Sequence, residues 1–380
     1  MKYYIIAGEA SGDLHGSNLI KSLREMDDRA DIRCWGGDLM KTAGATLVKH
    51  YQDLAFMGFA EVLSNLPTIL RNLSFCKNDI ISFAPDALIL IDYPGFNLRI
   101  AAWAKKAGFR VIYYISPQVW AWKESRVKTI KSSVDKMLVI LPFEKAFYKK
   151  WDFEVDYVGH PLVEVIDHYQ SNPKPFYSSL KKGNREKLVA LLPGSRRQEI
   201  LKKLPVMLEM SKNFPEHHFV VAMAPGVDPA FYESLLQNYP AVSSVVNQTY
   251  ELLLHAKAAC VTSGTATLET ALFGVPEVIC YKGSAISYQI AKRLIRVKYI
   301  SLVNLIMDKP VVKELIQDEF NEEQLRHELG QILENSLKQK QMKEDYNKLK
   351  SILSEGGKAS SNAAKKIMEF LRPISGKKEF

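Results

Sequence analysis

Residues 3–26 read YYIIAGEASGDLHGSNLIKSLREM, and the parsing of this stretch decides the fold. Tyr3 to Ala7 form an apolar run without alternation, the pattern of a strand buried on both faces of a parallel sheet. Small residues follow, and then a helical pattern over about 14–26. A strand, a small-residue turn and a helix in that order place a ligand near the turn. Gly8, Gly12 and Gly16 stand four apart, as G-x-x-x-G-x-x-x-G. A dinucleotide site needs G-x-G-x-x-G, so NAD and FAD are discounted, and no Walker lysine follows.

Working outward, the same unit recurs. Apolar runs at 87–91 (ALILI), 110–115 (RVIYYI), 136–141 (KMLVIL) and 155–158 (VDYV) predict further strands. Helical patterns near 59–82, 97–107 and 143–150 separate them. Residues 169–186 are polar and rich in Pro, Ser and Lys, and read as a linker. The pattern then restarts with strands at 187–192, 218–223, 242–246, 258–262 and 277–281, and helices at 197–213, 249–256 and 265–273. A helical, charged tail occupies 310–371. The expectation is an α/β chain of two Rossmann-like domains facing a cleft. The domains run from 1–168 and 187–345, and a closing segment, 346–380, packs back on the first.

Bulk properties agree. The chain has 380 residues, enough for two cores, with 47% hydrophobic residues and a net charge of +9. Such a surface favours anionic partners. Cys34, Cys76, Cys260 and Cys280 form no C-x-x-C pair and read as reduced, buried thiols of a cytoplasmic protein. The chain opens on a strand, which predicts no secretory leader. No apolar run reaches about 18 residues, so no membrane span is expected, while peripheral association stays compatible.

Ligands of such sheets bind beyond the carboxyl ends of the strands. In LLPGSRRQEI (191–200), Ser195 can cap a helix that opens on Arg196 and Arg197. Cations are unfavourable there unless an anion is bound, and the other reading is a capped helix with solvated arginines. In SGTATLE (263–269), Ser263, Gly264 and Thr265 offer bare backbone to a pyrophosphate, and Glu269 can accept from a ribose diol or serve the helix dipole. Asp92, at the end of ALILI and before Tyr93-Pro94-Gly95, suits a general base or an Asx-type turn.

Two stretches suit an amphiphile or a core: 56–73 (FMGFAEVLSNLPTILRNL) and 117–131 (PQVWAWKESRVKTIK), the latter with Trp120 and Trp122 beside cations. AKRLIRVKYI (291–300) is a third basic stretch. The histidines show no metal-ligand spacing, and His160 reads as a hinge residue. There is no G-x-S-x-G elbow.

The ordered set AGEASGD, MGFAEVL, IDYPGFN, YYISPQVWAW, LPFEKAFY, VGHPL, LLPGSRRQEI, SGTATLE and AKRLIRVKYISLVNL closely resembles the lipid-A-disaccharide synthases. The resemblance runs from residue 7 to about 305. It implies an inverting glycosyltransferase of the GT-B type, family 19, working without metal or other cofactor. The implied reaction moves 2,3-diacylglucosamine from its UDP derivative to the 6-hydroxyl of 2,3-diacylglucosamine 1-phosphate (lipid X). UDP and the β-1,6-linked disaccharide 1-phosphate are the products. The implied place is peripheral, on the cytoplasmic face of the inner membrane of Gram-negative bacteria.

Carried over residue by residue, the resemblance makes Asp92 the base. Ser195, Arg196, Ser263, Gly264, Thr265, Glu269 and Asn304 become the donor site. Ser11, Gly12, Asp13, Met57, Glu61 and Trp120 become the acceptor side. Gly95 stands where family members carry an acidic residue, and Val303 where proline is frequent. No nucleic-acid partner is implied, and a homodimer is compatible. The residues themselves leave open another UDP-sugar enzyme of this fold, a UDP-N-acetylglucosamine epimerase or a peptidoglycan glycosyltransferase, and a basic nucleic-acid-binding protein.

Overall fold

β1 (Lys2–Ala7) is the strand of the opening stretch, and Tyr3 to Ala7 are fully buried. In the computed structural model, which describes residues 1–54, 66–122, 124–176, 187–224, 226–284 and 298–372, the chain divides into two compact units. The first is Met1–Pro161 together with the chain from Leu353 onward, and the second is Leu162–Ile352.

In the first unit β1 pairs in parallel with β2 (Asp31–Gly36) and with β4 (Ala87–Ile91). β3 (Thr46–His50) lies beyond β2, and β5 (Val111–Tyr114), β6 (Lys136–Val139) and β7 (Asp156–Tyr157) lie beyond β4. The order is β3-β2-β1-β4-β5-β6-β7, all parallel, so the winding reverses between β1 and β4. The helix Ala10–Met26 covers β1. The glycine spacing is explained here by close packing. A Cβ on Gly12 would lie 3.0 Å from the Ala7 Cβ, and one on Gly16 would lie 2.7 Å from Met40 Sδ. Four-residue spacing sets both on one helix face.

The helix Ala359–Leu371 closes this unit against Ala10–Met26. Ala363, Ala364, Ile367 and Leu371 join Leu19, Ile20 and Leu23 in one core. Burial of each large aliphatic chain there is worth about 1.5–3 kcal/mol, and the two alanines let the helices approach.

The second unit repeats the scheme. β8 (Leu188–Leu192) lies between β9 (His218–Met223) and β11 (Ala256–Thr262). β10 (Ser243–Val246) flanks β9, and β12 (Glu277–Tyr281) and β13 (Lys313–Ile316) follow β11. The order β10-β9-β8-β11-β12-β13 is again parallel and reverses between β8 and β11.

β2, β3 and β13 carry no continuous apolar run and escape a reading based on such runs; β3 is a half-buried edge strand with Lys49. The helix read over 59–82 is Leu66–Phe83 among the described residues, and 55–65 lie outside them. The helix Pro161–Ser171 runs into the segment read as a linker, of which 177–186 also lie outside. All four cysteines are free and buried.

Candidate functional site

Each sheet has one switch point, and the sequence motifs flank both. In the first unit GEASGD (8–13) follows β1 and DYPGFN (92–97) follows β4. Asp92 and Tyr93 both adopt left-handed backbone, with φ of 44° and 47°. Ile115, at the end of neighbouring β5, does the same at 66°. Such conformations cost about 1–3 kcal/mol each in non-glycine residues and gather at functional sites.

The surroundings hold them. Asn97, wholly buried in the helix Pro94–Lys106, directs Nδ2 to the carbonyls of Asp92 (2.8 Å), Ile91 (3.2 Å) and Ile6 (3.4 Å). The Tyr113 hydroxyl donates to the Asp92 carbonyl at 2.5 Å. The Tyr93 ring lies over Gly8, where a Cβ would stand 2.3 Å from it. The β1 and β4 loops therefore form one packed floor, which only glycine at position 8 permits. Burial pushes the Asp92 carboxyl up to about 6, and the charge of Glu9 adds to the rise. A carboxylate titrating there suits proton abstraction near neutrality.

The other acceptor-side residues separate. Ser11 is exposed at the start of the helix Ala10–Met26, while Gly12 is buried against Ala7. Asp13 is buried, and its carboxylate accepts from the backbone N–H groups of Gly37 (2.8 Å), Met40 (3.0 Å) and Leu39 (3.2 Å). It caps the helix Asp38–Thr42, whose own N-cap, Gly37, has no side chain to do so.

Trp120 also points inward. It is 9% exposed and meets the Phe143 ring edge-on, with centroids 4.9 Å apart, so an interfacial role for it does not fit this geometry. Met57 and Glu61, with Lys123 and most of 291–300, lie outside the described residues. Beneath Trp120, Glu144 of LPFE is fully buried and accepts from Leu141 N–H at 3.0 Å. Burial lifts its pKa to about 8, against the opposing pull of backbone donors and of Ser116 and Trp120. His15 and His160 both lie in the first unit. Burial lowers His15 to about 4, and burial with the charge of His15 as a second cause lowers His160 to about 3.

In the second unit PGSRR follows β8 and SGTATLE follows β11. The helix Arg197–Asn213 has Arg196 at its N-cap with no side-chain cap, so Ser195 does not cap it. Ser195, Arg196 and Arg197 are exposed. Among the described residues the Arg196 guanidinium pairs loosely with Glu199, at 3.7 Å. Glu199 folds back over Gly194, whose φ is 112°, and Thr262 at the end of β11 lies against the same glycine. The two loops are therefore neighbours.

The helix Thr265–Leu272 starts at Gly264, again without a side-chain cap. The adjacent helix starts thus leave uncapped N–H groups beside an available arginine, an anion-binding arrangement. Glu269 lies one turn in, and its Oε1 accepts from the Tyr250 hydroxyl at 2.7 Å. Burial raises its pKa, and that hydrogen bond opposes the rise. Tyr250 packs against Tyr169 and Phe273, so an aromatic wall fixes the carboxylate.

Asn304 differs from the expectation of a ligand contact. It is 1% exposed. Its amide spans Val312 in both directions, accepting from N–H at 3.0 Å and donating to C=O at 2.9 Å, and it also donates to Glu314 at 2.9 Å. Its polar atoms are used within the protein. Ser263 likewise gives its hydroxyl to the Ile300 carbonyl at 3.0 Å. Asn97, Tyr113, Tyr250 and Glu314 escaped sequence reading because each acts through side-chain contacts that spacing does not encode.

The chain matches a family model described as lipid-A-disaccharide synthetase over residues 3–369. It is 41% identical over 367 residues to a lipid-A-disaccharide synthase of Syntrophus aciditrophicus, covering 94% of this chain and 95% of that one. A lipid-A-disaccharide synthase of Geobacter metallireducens is 39% identical over 372 residues, with 97% and 96% covered. Among solved structures, the UDP-GlcNAc 2-epimerase from Neisseria meningitidis bound to UDP-GlcNAc superposes with a TM-score of 0.66 at 13% identity, over 98% of this chain and 99% of that one. The calicheamicin glycosyltransferase CalG4 gives 0.62 at 16%, over 99% of each. These two likenesses establish the GT-B fold.

Proposed function

The chain belongs to the lipid-A-disaccharide synthase family and is a UDP-sugar-dependent hexosyltransferase, and from that premise we propose how its two switch points divide the reaction. The second unit holds the donor, UDP-2,3-diacylglucosamine. The uncapped starts of the helices Arg197–Asn213 and Thr265–Leu272 take the diphosphate, with the exposed Arg196 as the cation and Gly264 and Thr265 as backbone donors. Glu269, held by Tyr250, takes the ribose diol. The first unit supplies Asp92 to the acceptor, 2,3-diacylglucosamine 1-phosphate.

The carboxylate removes the proton from the acceptor 6-hydroxyl as its oxygen attacks the anomeric carbon. The bond to the diphosphate breaks in the same displacement, which inverts the centre and releases UDP. Fixed donors meet the charge developing on the leaving group and need little reorganisation as it forms. The strained, half-buried Asp92 at the β1/β4 switch point is the single observation that carries the assignment of the base.

The acyl chains and the inner-membrane surface belong to the first unit in this reading. The helix Leu66–Phe83 leaves Leu70, Phe75 and Ile81 at least half exposed. Among the described residues no helix is long and apolar enough to cross a membrane, so the attachment proposed is peripheral. The UDP-sugar epimerases share the fold, but they need no amphiphilic acceptor.

A detergent-micelle assay with the two lipid substrates tests the reading, following UDP and the disaccharide by mass. Asp92→Asn is expected to lower turnover by about 10²–10⁴-fold, the range of a positioned base, with UDP affinity retained. Arg196→Ala and Glu269→Ala are expected to weaken UDP binding. Loss of UDP binding in the Asp92 variant, or turnover close to wild type, would remove Asp92 as the base.

A further inference from the structure

The VKEL stretch (312–315) has no part in the chemistry above, yet it contains the most heavily bonded carboxylate of the second unit's described residues. Glu314, half-buried on β13, gathers four donors. Its Oε2 accepts from Ile300 N–H at 3.0 Å. Its Oε1 accepts from Ser301 N–H at 3.0 Å, from the Ser301 hydroxyl at 2.8 Å and from Asn304 Nδ2 at 2.9 Å. Ser301 in turn caps the helix Leu302–Met307. Ile300, fixed on its N–H side by Glu314, uses its carbonyl to receive the Ser263 hydroxyl at 3.0 Å. Ser263 directly precedes Gly264, where the helix Thr265–Leu272 begins. A continuous path therefore runs from Glu314 through Ile300 to the loop whose bare backbone would meet the diphosphate.

We propose that Glu314 is a positioning residue for the donor diphosphate, acting through Ile300 and Ser263 to hold the Ser263–Gly264 backbone in its receiving geometry. The proposal rests on the donor-site reading above and deepens it. Its physical basis is that Gly264, with φ of 153°, has no side chain to restrain it, so an external tether must set the direction of the N–H groups after it. A carboxylate suits the tether because it accepts at both oxygens. An amide in its place turns one acceptor into a donor, which must face either Ile300 N–H or the three donors on Oε1.

The test is a double-mutant cycle of Glu314→Gln and Ser263→Ala, with UDP affinity measured by calorimetry and KM and kcat by the micelle assay. Glu314→Gln is expected to weaken UDP binding by about tenfold, the cost of losing a charge-assisted bond. KM for the donor should rise in parallel, and kcat at saturating donor should stay within about threefold of wild type. Ser263→Ala should act in the same direction, and the double variant should be no weaker than Glu314→Gln alone, because both cut one path. Additive losses, or a fall in melting temperature and kcat with UDP affinity intact, would make Glu314 a purely structural residue and overturn the proposal. Arg196→Ala is the control. If it weakens UDP binding and Glu314→Gln does not, this inference fails alone, and if neither does, the donor-site reading fails with it.

Discussion

Glu9 offers the sharpest test of the chemistry proposed for the first unit, since replacing it changes the charge beside the proposed base without altering that base. The Asp92 carboxyl rises from an ordinary 3.8 to about 6, with burial the larger cause and Glu9 the second. In Glu9→Gln the repulsion disappears and the burial stays, so the acid limb should fall to between about 5 and 6. The sign follows from the proposed role: a base at Asp92 works only when ionised, so activity is expected to rise as pH climbs through its pKa. At pH 5.5 a group titrating at about 6 is about one-quarter ionised, and one titrating at about 5 is about three-quarters ionised. The variant should therefore gain up to about threefold in relative kcat/KM at pH 5.5, scaled to its own plateau above pH 8. The assay is the pH profile of kcat/KM for the lipid acceptor in micelles at saturating donor. A limb that stays in place, or moves upward, would refute the electrostatic coupling between Glu9 and Asp92. A limb that persists in Asp92→Asn would show that another group sets it.

Two further predictions concern stability. Glu277, fully buried at the start of β12, has no hydrogen-bond partner on either oxygen among the described residues, and burial raises its pKa well above the usual carboxylate range. The folded state holds that proton while the unfolded chain releases it, so the site costs stability increasingly as pH rises above about 4.5. Glu277→Leu should raise Tm by several degrees at pH 8 and by less at pH 5, read by calorimetry; an equal or greater gain at pH 5 would contradict this account. Asp13→Ala removes the acceptor for three backbone N–H groups and should cost about 2–3 kcal/mol in urea unfolding, while UDP affinity of the folded protein is retained. A change in catalysis with stability unmoved would return Asp13 to the acceptor site.

Much of the fold was legible because continuous apolar runs mark strands buried on both faces, and β1, β4, β8 and β11 all carry one. β2, β3 and β13 were not legible, because a strand with charged or half-exposed positions leaves no such run. The motif loops were legible as groups of small, charged and turn-forming residues at strand ends. Their internal division was not. In the GEASGD motif, Glu9 and Ser11 stay exposed while Asp13 is consumed as a cap. In SLVNL, Asn304 turns inward and serves Val312 and Glu314.

The sequence by itself determined the α/β class, the two-unit repetition, the family and the motif loops at the strand ends, because these depend on local pattern and on residues close along the chain. Only the tertiary structure decided which polar side chain in each loop is free to meet a ligand and which is spent on the protein. That choice depends on donors brought from distant segments: Gly37 and Met40 to Asp13, Tyr113 to the backbone of Asp92, and Ile300 and Ser301 to Glu314. A buried polar atom must find a partner wherever the fold supplies one, and sequence spacing does not state where that is.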